Sequence, residues 1–172
     1  MNKRIKAKKE TGNAEDEKFM RLAIAQARRG IACGEGPFGC VIVRKNKVKN
    51  EVVARAYNSV VCDDDATAHA EVKAIRAAGA ALGTPFLCDC VLYSTCEPCP
   101  MCFSACWWAR VARVVYGSEI ATAAAAGLNE LRVSVDALNR AGGGKISLRG
   151  GVLRGECAAL FKEWKAAGGK KY

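Results

Sequence analysis

Phe19, Leu22, Ala23 and Ala27 fall on one face at helical spacing and predict a first helix over 14–30. The acids Glu15, Asp16 and Glu17 stand near its start and Gly30 at its end. A loop at 34–37 leads into a short apolar run, Gly39 to Arg44, of the kind that forms a buried strand. Lys45-Asn46-Lys47 makes a tight connection to a second strand, Val48 to Tyr57, antiparallel to the first. His69, Val72, Ile75 and Arg76 recur at helical spacing within Thr67 to Ala80, with Gly79 near the end. Cys90 to Ser94 reads as a third strand. Glu97 to Ala109 reads as a helix whose first turn holds Pro98, where a missing N–H does no harm. Val111 to Tyr116 is a fourth strand.

The remainder is less patterned: an alanine-rich stretch to Ala126, a glycine run at 142–144, a short strand at Ile146 to Leu148, and a last helix from Glu156 to Ala167. Strands alternating with helices predict a three-layer α/β/α fold with a mixed central sheet of about five strands. No internal repeat or domain boundary interrupts it. Residues 1–13 read as a basic flexible tail and 14–172 as a single domain.

Composition narrows the class. With 172 residues and 51% apolar content, the chain is long enough to bury a core. No apolar run reaches the roughly 18–20 residues that span a bilayer. The lysine-rich start lacks the apolar stretch of a secretory signal, so a cytoplasmic location is expected. The net charge of +10 raises the question of nucleic acid. Five basic residues against Glu10 place +4 of it within residues 3–10, and the rest is scattered. Without basic residues interleaved with aromatics, it reads as a solvated basic surface.

The chemistry concentrates in two words. His69, the only histidine, opens His69-Ala70-Glu71, and Pro98-Cys99-Pro100-Met101-Cys102 follows thirty residues later. Imidazole nitrogen and two thiolates suit tetrahedral zinc, and three protein ligands leave the fourth position open for water, the mark of a catalytic site. Zinc is therefore the expected cofactor, with Glu71 as the base that works on the water. Cys99 and Cys102, three apart on a helix, face the same way. Cys96, Cys99, Cys102 and Cys106 also have ferredoxin-type spacing. Trp107 follows where that motif carries proline, the pattern occurs once, and an iron–sulfur reading leaves His69 and Glu71 without a role. Cys33, Cys40, Cys62, Cys88, Cys90, Cys106 and Cys157 are expected as small buried hydrophobes in a reduced protein. Asn58, at the end of the second strand, is either a turn former or a contact to a substrate.

These words resemble the cytidine deaminase superfamily, and within it the guanine deaminase branch. The resemblance runs through most of residues 15–131: Gly36-Pro37-Phe38-Gly39, Asn58, Thr67 to Val72 with Ala74-Ile75-Arg76, Leu92 to Cys102, and Trp108-Ala109-Arg110. It implies hydrolytic deamination of a free nucleobase or nucleoside, with guanine to xanthine foremost. In that reaction zinc lowers the pKa of water from 15.7 toward about 7 and Glu71 carries the protons. Phe38 and Trp108 would frame the base, with Asn58 holding it. The closing Trp164 and Lys170-Lys171-Tyr172 are similar to tails in which a terminal tyrosine covers the active site of a swapped homodimer. Where guanine deaminases carry a substrate-reading aspartate this chain has Thr122, which leaves Glu119 or Glu130 to replace it. Gly151 to Leu160 resembles the tail of bacterial tRNA adenosine deaminases. A guanosine- or cytosine-type nucleoside deaminase, a tRNA-editing adenosine deaminase and a non-catalytic zinc-stabilised binding module are the alternatives.

Overall fold

The computed structural model describes residues 11–170, with side chains from residue 14 onward. Its eleven elements are α1 (Thr11–Ala32), β1 (Gly39–Arg44), β2 (Glu51–Tyr57), α2 (Ala70–Leu82), β3 (Cys90–Cys96), α3 (Pro100–Trp108), β4 (Arg113–Ser118), α4 (Ile120–Ala125), α5 (Val135–Ala141), β5 (Ser147–Arg149) and α6 (Arg154–Ala166). The strands form one mixed sheet in the order β2-β1-β3-β4-β5. β1 pairs antiparallel with both β2 and β3, while β3, β4 and β5 run parallel. This is the expected α/β fold.

Alternation along the strands builds the two faces. Cys40, Ile42, Leu92, Val114 and Tyr116 join a core under α2 and α3, with Ala70, Ala74, Ala78, Phe103 and Cys106. Val41, Val43, Val91, Tyr93 and Val115 point the other way, onto Phe19, Met20, Ala23, Ile24 and Ala27 of α1 and Leu160 of α6. Side chains two apart share a face, so every central strand is apolar on both sides. Gly39 allows the close approach of α1, since a Cβ there would lie 2.1 Å from the carbonyl oxygen of Ala23.

Boundaries shift for identifiable reasons. Helix α1 passes through Gly30 to Ala32, and the glycine leaves room for Tyr57, whose side chain would lie 3.1 Å from a Cβ there. β2 starts three residues later than its apolar run, because Asn46 Oδ1 accepts the N–H of Val48 at 2.9 Å and turns the chain. α3 starts at Pro100 rather than near Glu97. The residue before a proline is held in extended backbone, and Cys99, at φ −64° and ψ 167°, becomes the N-cap. The short helices α4 and α5 lie in the stretch without clear periodicity. None of the described helices is long and apolar enough to cross a membrane.

Candidate active site

The site lies where α2 and α3 begin, beside the carboxyl ends of β2 and β3. His69 is the N-cap of α2, in extended backbone at φ −67° and ψ 151°, and Cys99 is the N-cap of α3. The positive ends of two helices thus converge on the same point. His69 Nδ1 lies 3.7 Å from Cys99 Sγ and 3.5 Å from Cys102 Sγ. All three ligand atoms lie within 4.8 Å of one another, and among the described residues no other His, Cys, Asp or Glu group is arranged to hold a metal ion. Zn–N and Zn–S bonds at tetrahedral angles place nitrogen and sulfur roughly 3.6 Å apart, so the donor set fits zinc in both chemistry and spacing.

Cys96 and Cys106, the other members of the ferredoxin-like spacing, stand apart from this group. The Cys96 thiol donates to the backbone carbonyl of Glu119 at 3.6 Å, and Cys106 is packed in the core beneath α2 and α3. A four-cysteine cluster is therefore ruled out. Cys40, Cys90 and Cys157 are buried as expected, whereas Cys33, Cys62 and Cys88 are exposed, which corrects their assignment to the interior.

Glu71, in the first turn of α2, is 5% exposed. Ser94 Oγ donates to its Oε1 at 3.1 Å, and the Cys102 thiol donates to its Oε2 at 3.5 Å. Burial pushes the Glu71 carboxyl above the usual range, partly offset by His69. The Cys99 thiol is pulled down to about 4, by hydrogen bonding from Cys102 first and also from His69, and the Cys102 thiol is correspondingly pushed up. Burial opposes charge on His69, but its bond to Cys99 and the nearby Glu71 raise its pKa on balance.

A cavity of about 290 Å³ opens over this group, with His69, Phe38, Val60 and Glu130 in its wall. A smaller recess, sharing Phe38, His69 and Glu130, continues down to Glu71 and Cys99. Burial, then the charge on Cys99, pushes Glu130 up to about 7. Of the two acids considered in place of an aspartate, Glu130 is the one in the cavity. Glu119 instead stands immediately before α4 and pairs with Arg154 at 2.9 Å on the surface. Thr122 lies within α4 and is not part of the cavity wall.

Phe38 joins the cavity, and its ring also meets Phe161 edge-on at 5.8 Å. Asn58 is fully buried beside it, its N–H bonded to the Phe38 carbonyl. Trp108 is not brought to this group. At the far end of α3 it is 77% exposed and borders a larger cavity of about 510 Å³ with Phe86, Trp107 and Arg110. Helix α3 spans its whole length of nine residues, roughly 13 Å, between that cavity and Cys99. The larger cavity has neither a metal-ligating set nor a carboxylate, whereas His69 and Glu130 line the smaller one. Tyr172 lies outside the described residues.

Two supporting acids escaped the sequence reading. The carboxylate of Glu97 accepts the N–H groups of Ile120 and Val135 at 3.1 and 3.0 Å, fixing the starts of α4 and α5 around the recess. Glu35, 2% exposed, accepts the N–H groups of Val61 and Cys62. The sequence places Glu97 at the start of a helix and Glu35 in a loop, and neither position marks a role for the side chain.

Comparison with known proteins agrees with this geometry. Guanine deaminase of Bacillus subtilis is 45% identical over 115 residues, covering 66% of this chain and 71% of that protein. The tRNA-specific adenosine deaminase of the same organism is 35% identical over 153 residues, 87% of this chain and 90% of that one. The chain also matches tRNA(Ile)-lysidine synthases of Deinococcus, but spans only about a quarter of their length. Among solved structures, guanine deaminase from Nitrosomonas europaea superposes with a TM-score of 0.79 at 25% identity, covering 96% of this chain and 98% of that one. Residues 13–118 match the cytidine and deoxycytidylate deaminase zinc-binding region, and the chain is a member of that deaminase family.

Proposed function

We propose that this chain hydrolyses the exocyclic amine of a free nucleobase, converting guanine and water to xanthine and ammonia. The observation that carries the reading is the placement of Glu71, held by Ser94 beside three zinc-type ligands below a small cavity whose wall carries Glu130. At about 290 Å³ the cavity lies near the lower end of the size range for small-molecule sites, which suits a single purine.

When bound by His69, Cys99 and Cys102, zinc supplies Lewis acidity that makes a water molecule acidic enough to attack at neutral pH. Glu71 takes the proton from the attacking water and returns protons to the ring nitrogen and to the departing ammonia. One carboxylate serves as base and then as acid, a role worth about 10²–10⁴-fold in rate. Ser94 orients it by holding one of its oxygens. Glu130 accepts N–H groups of the base, Asn58 contributes a further polar contact, and Phe38 forms the apolar wall. A homodimer in the cytoplasm completes this reading.

A tRNA adenosine substrate is the second reading, favoured by similarity to the tRNA-specific enzyme over 87% of the chain and by the net charge of +10. Ammonia release from purines, pyrimidines and their nucleosides, alongside inosine formation in an anticodon stem-loop, separates the two. Free guanine should turn over with little dependence on salt. Inosine formation that falls steeply with salt, with no ammonia from guanine or any nucleoside, would establish the tRNA reading instead.

A further inference from the structure

Three N–H groups meet on the buried Glu35 carboxylate. The Cys62 backbone donates to Oε1 at 2.6 Å, while the Val61 backbone and Asn58 Nδ2 each donate to Oε2 at 3.3 Å. A side-chain amide has one donating and one accepting end. A carboxylate engaged in this way accepts, so the end of Asn58 that faces Glu35 is its NH₂. The amide oxygen is thereby turned away. Asn58 is 1% exposed, and its Oδ1 is one of two buried side-chain polar atoms among the described residues without a hydrogen-bond partner. The other, Trp164 Nε1, is a donor, so Oδ1 is the one unmatched acceptor of the pair. Asn58 sits between two residues of the cavity wall, Phe38, to which its backbone is bonded, and Val60, two positions on. A buried acceptor left unmatched beside a cavity calls for a ligand that donates.

We propose that Glu35 is a positioning residue: it locks the Asn58 amide with its oxygen toward the ligand, so the site selects bases that present an N–H there over bases that present a bare ring nitrogen. This rests on the nucleobase reading of the cavity. Glu35 touches neither substrate nor metal in this account and acts through Asn58. Glu35→Gln tests that role, because it keeps the volume and the acceptor of the Cys62 N–H while turning an NH₂ toward Asn58 and Val61. The new NH₂ can donate to Asn58 Oδ1, and the amide is then free to turn over.

The test is a double-mutant cycle on the zinc-loaded full chain, with guanine as substrate and zinc content measured for every variant. Glu35→Gln should raise KM roughly tenfold while kcat changes much less, the scale expected for one misdirected hydrogen bond. In an Asn58→Ala background the same change should add less than about twofold, because the coupled partner is gone. An equal loss in both backgrounds would reduce Glu35 to a loop cap and overturn the proposal. Hydrogen exchange of the Asn58 side-chain NH₂, followed by NMR, gives a readout independent of turnover. It should be slow in the wild type and roughly tenfold faster in Glu35→Gln, the same loss of one hydrogen bond. Unchanged exchange would overturn the proposal whatever the substrate. Faster exchange together with no guanine turnover by the wild type would uphold the positioning and overturn the substrate reading, so the two fail separately.

Discussion

Asp16 and Glu71 are both buried carboxylates, on opposite faces of one sheet, and their surroundings differ. Asp16 Oδ1 accepts from the Tyr93 hydroxyl at 3.0 Å and from Arg113 at 3.2 Å. Its Oδ2 accepts from Arg113 at 2.8 Å and from Arg149 at 2.7 Å. That cluster ties α1 to β3, β4 and β5, with cationic partners matching the charge. The side chains bonded to Glu71 are one hydroxyl and one thiol, with no arginine or lysine among them, and a cavity lies above it. A buried charge whose partners are complete holds a fold together. A buried charge short of partners is destabilising and finds its complement in what the site binds.

The largest effect expected on the Glu71 side is loss of the metal. Cys99→Ala with Cys102→Ala should abolish zinc binding and bring turnover to background, as read by elemental analysis and ammonia release. Full zinc occupancy in that variant would dissolve the contrast, since the ligand set would then lie elsewhere. On the other face, Asp16→Ala removes the buried carboxylate that Arg113 and Arg149 share. It should lower the free energy of unfolding by about 3 kcal/mol, the scale for breaking a buried ion pair, in urea titrations. Zinc content and the rate per folded molecule should hold. A loss of zinc matching the loss of stability would show that the two clusters are not separable.

A finer comparison sets Glu130 against Glu119. Glu130→Gln should lower kcat/KM for guanine about tenfold, through a lost charged acceptor in the cavity. Glu119→Gln removes an exposed pair with Arg154. It should leave the kinetics alone and change stability by no more than about 0.5 kcal/mol. Steady-state kinetics of the pair decide which acid reads the base, and the reverse ranking would move the substrate out of this cavity.

The parts legible in the sequence are those set by period and by ligand type. The runs Gly39 to Arg44, Cys90 to Ser94 and Val111 to Tyr116 read as strands and match β1, β3 and β4, and His69, Glu71, Cys99 and Cys102 were readable because few side chains suit zinc and spacing limits which can meet. The direction of Trp108 was not readable, since α3 carries Phe103, Cys106, Trp107 and Trp108 on several sides and its apolar pattern selects no single face. Glu35 looks like any loop acid. Its role arises only when Asn58, Val61 and Cys62, more than twenty positions away, fold their N–H groups onto it. Asp16 reads as a favourable acid near a helix start, yet its partners Tyr93, Arg113 and Arg149 lie far along the chain. Cys33, Cys62 and Cys88 are on the surface because the loops that carry them are, and residue type alone does not report that.

The central claim is that Glu71 moves protons and does not hold the metal. Glu71→Ala tests it directly, with zinc per chain, thermal midpoint and ammonia release measured on the same preparation. The account predicts about one zinc per chain, from one three-ligand set, with the fold retained and turnover reduced at least ~10²-fold. A variant that kept its zinc and more than about a tenth of the wild-type rate would contradict it, because general acid–base catalysis by the residue would then be worth too little.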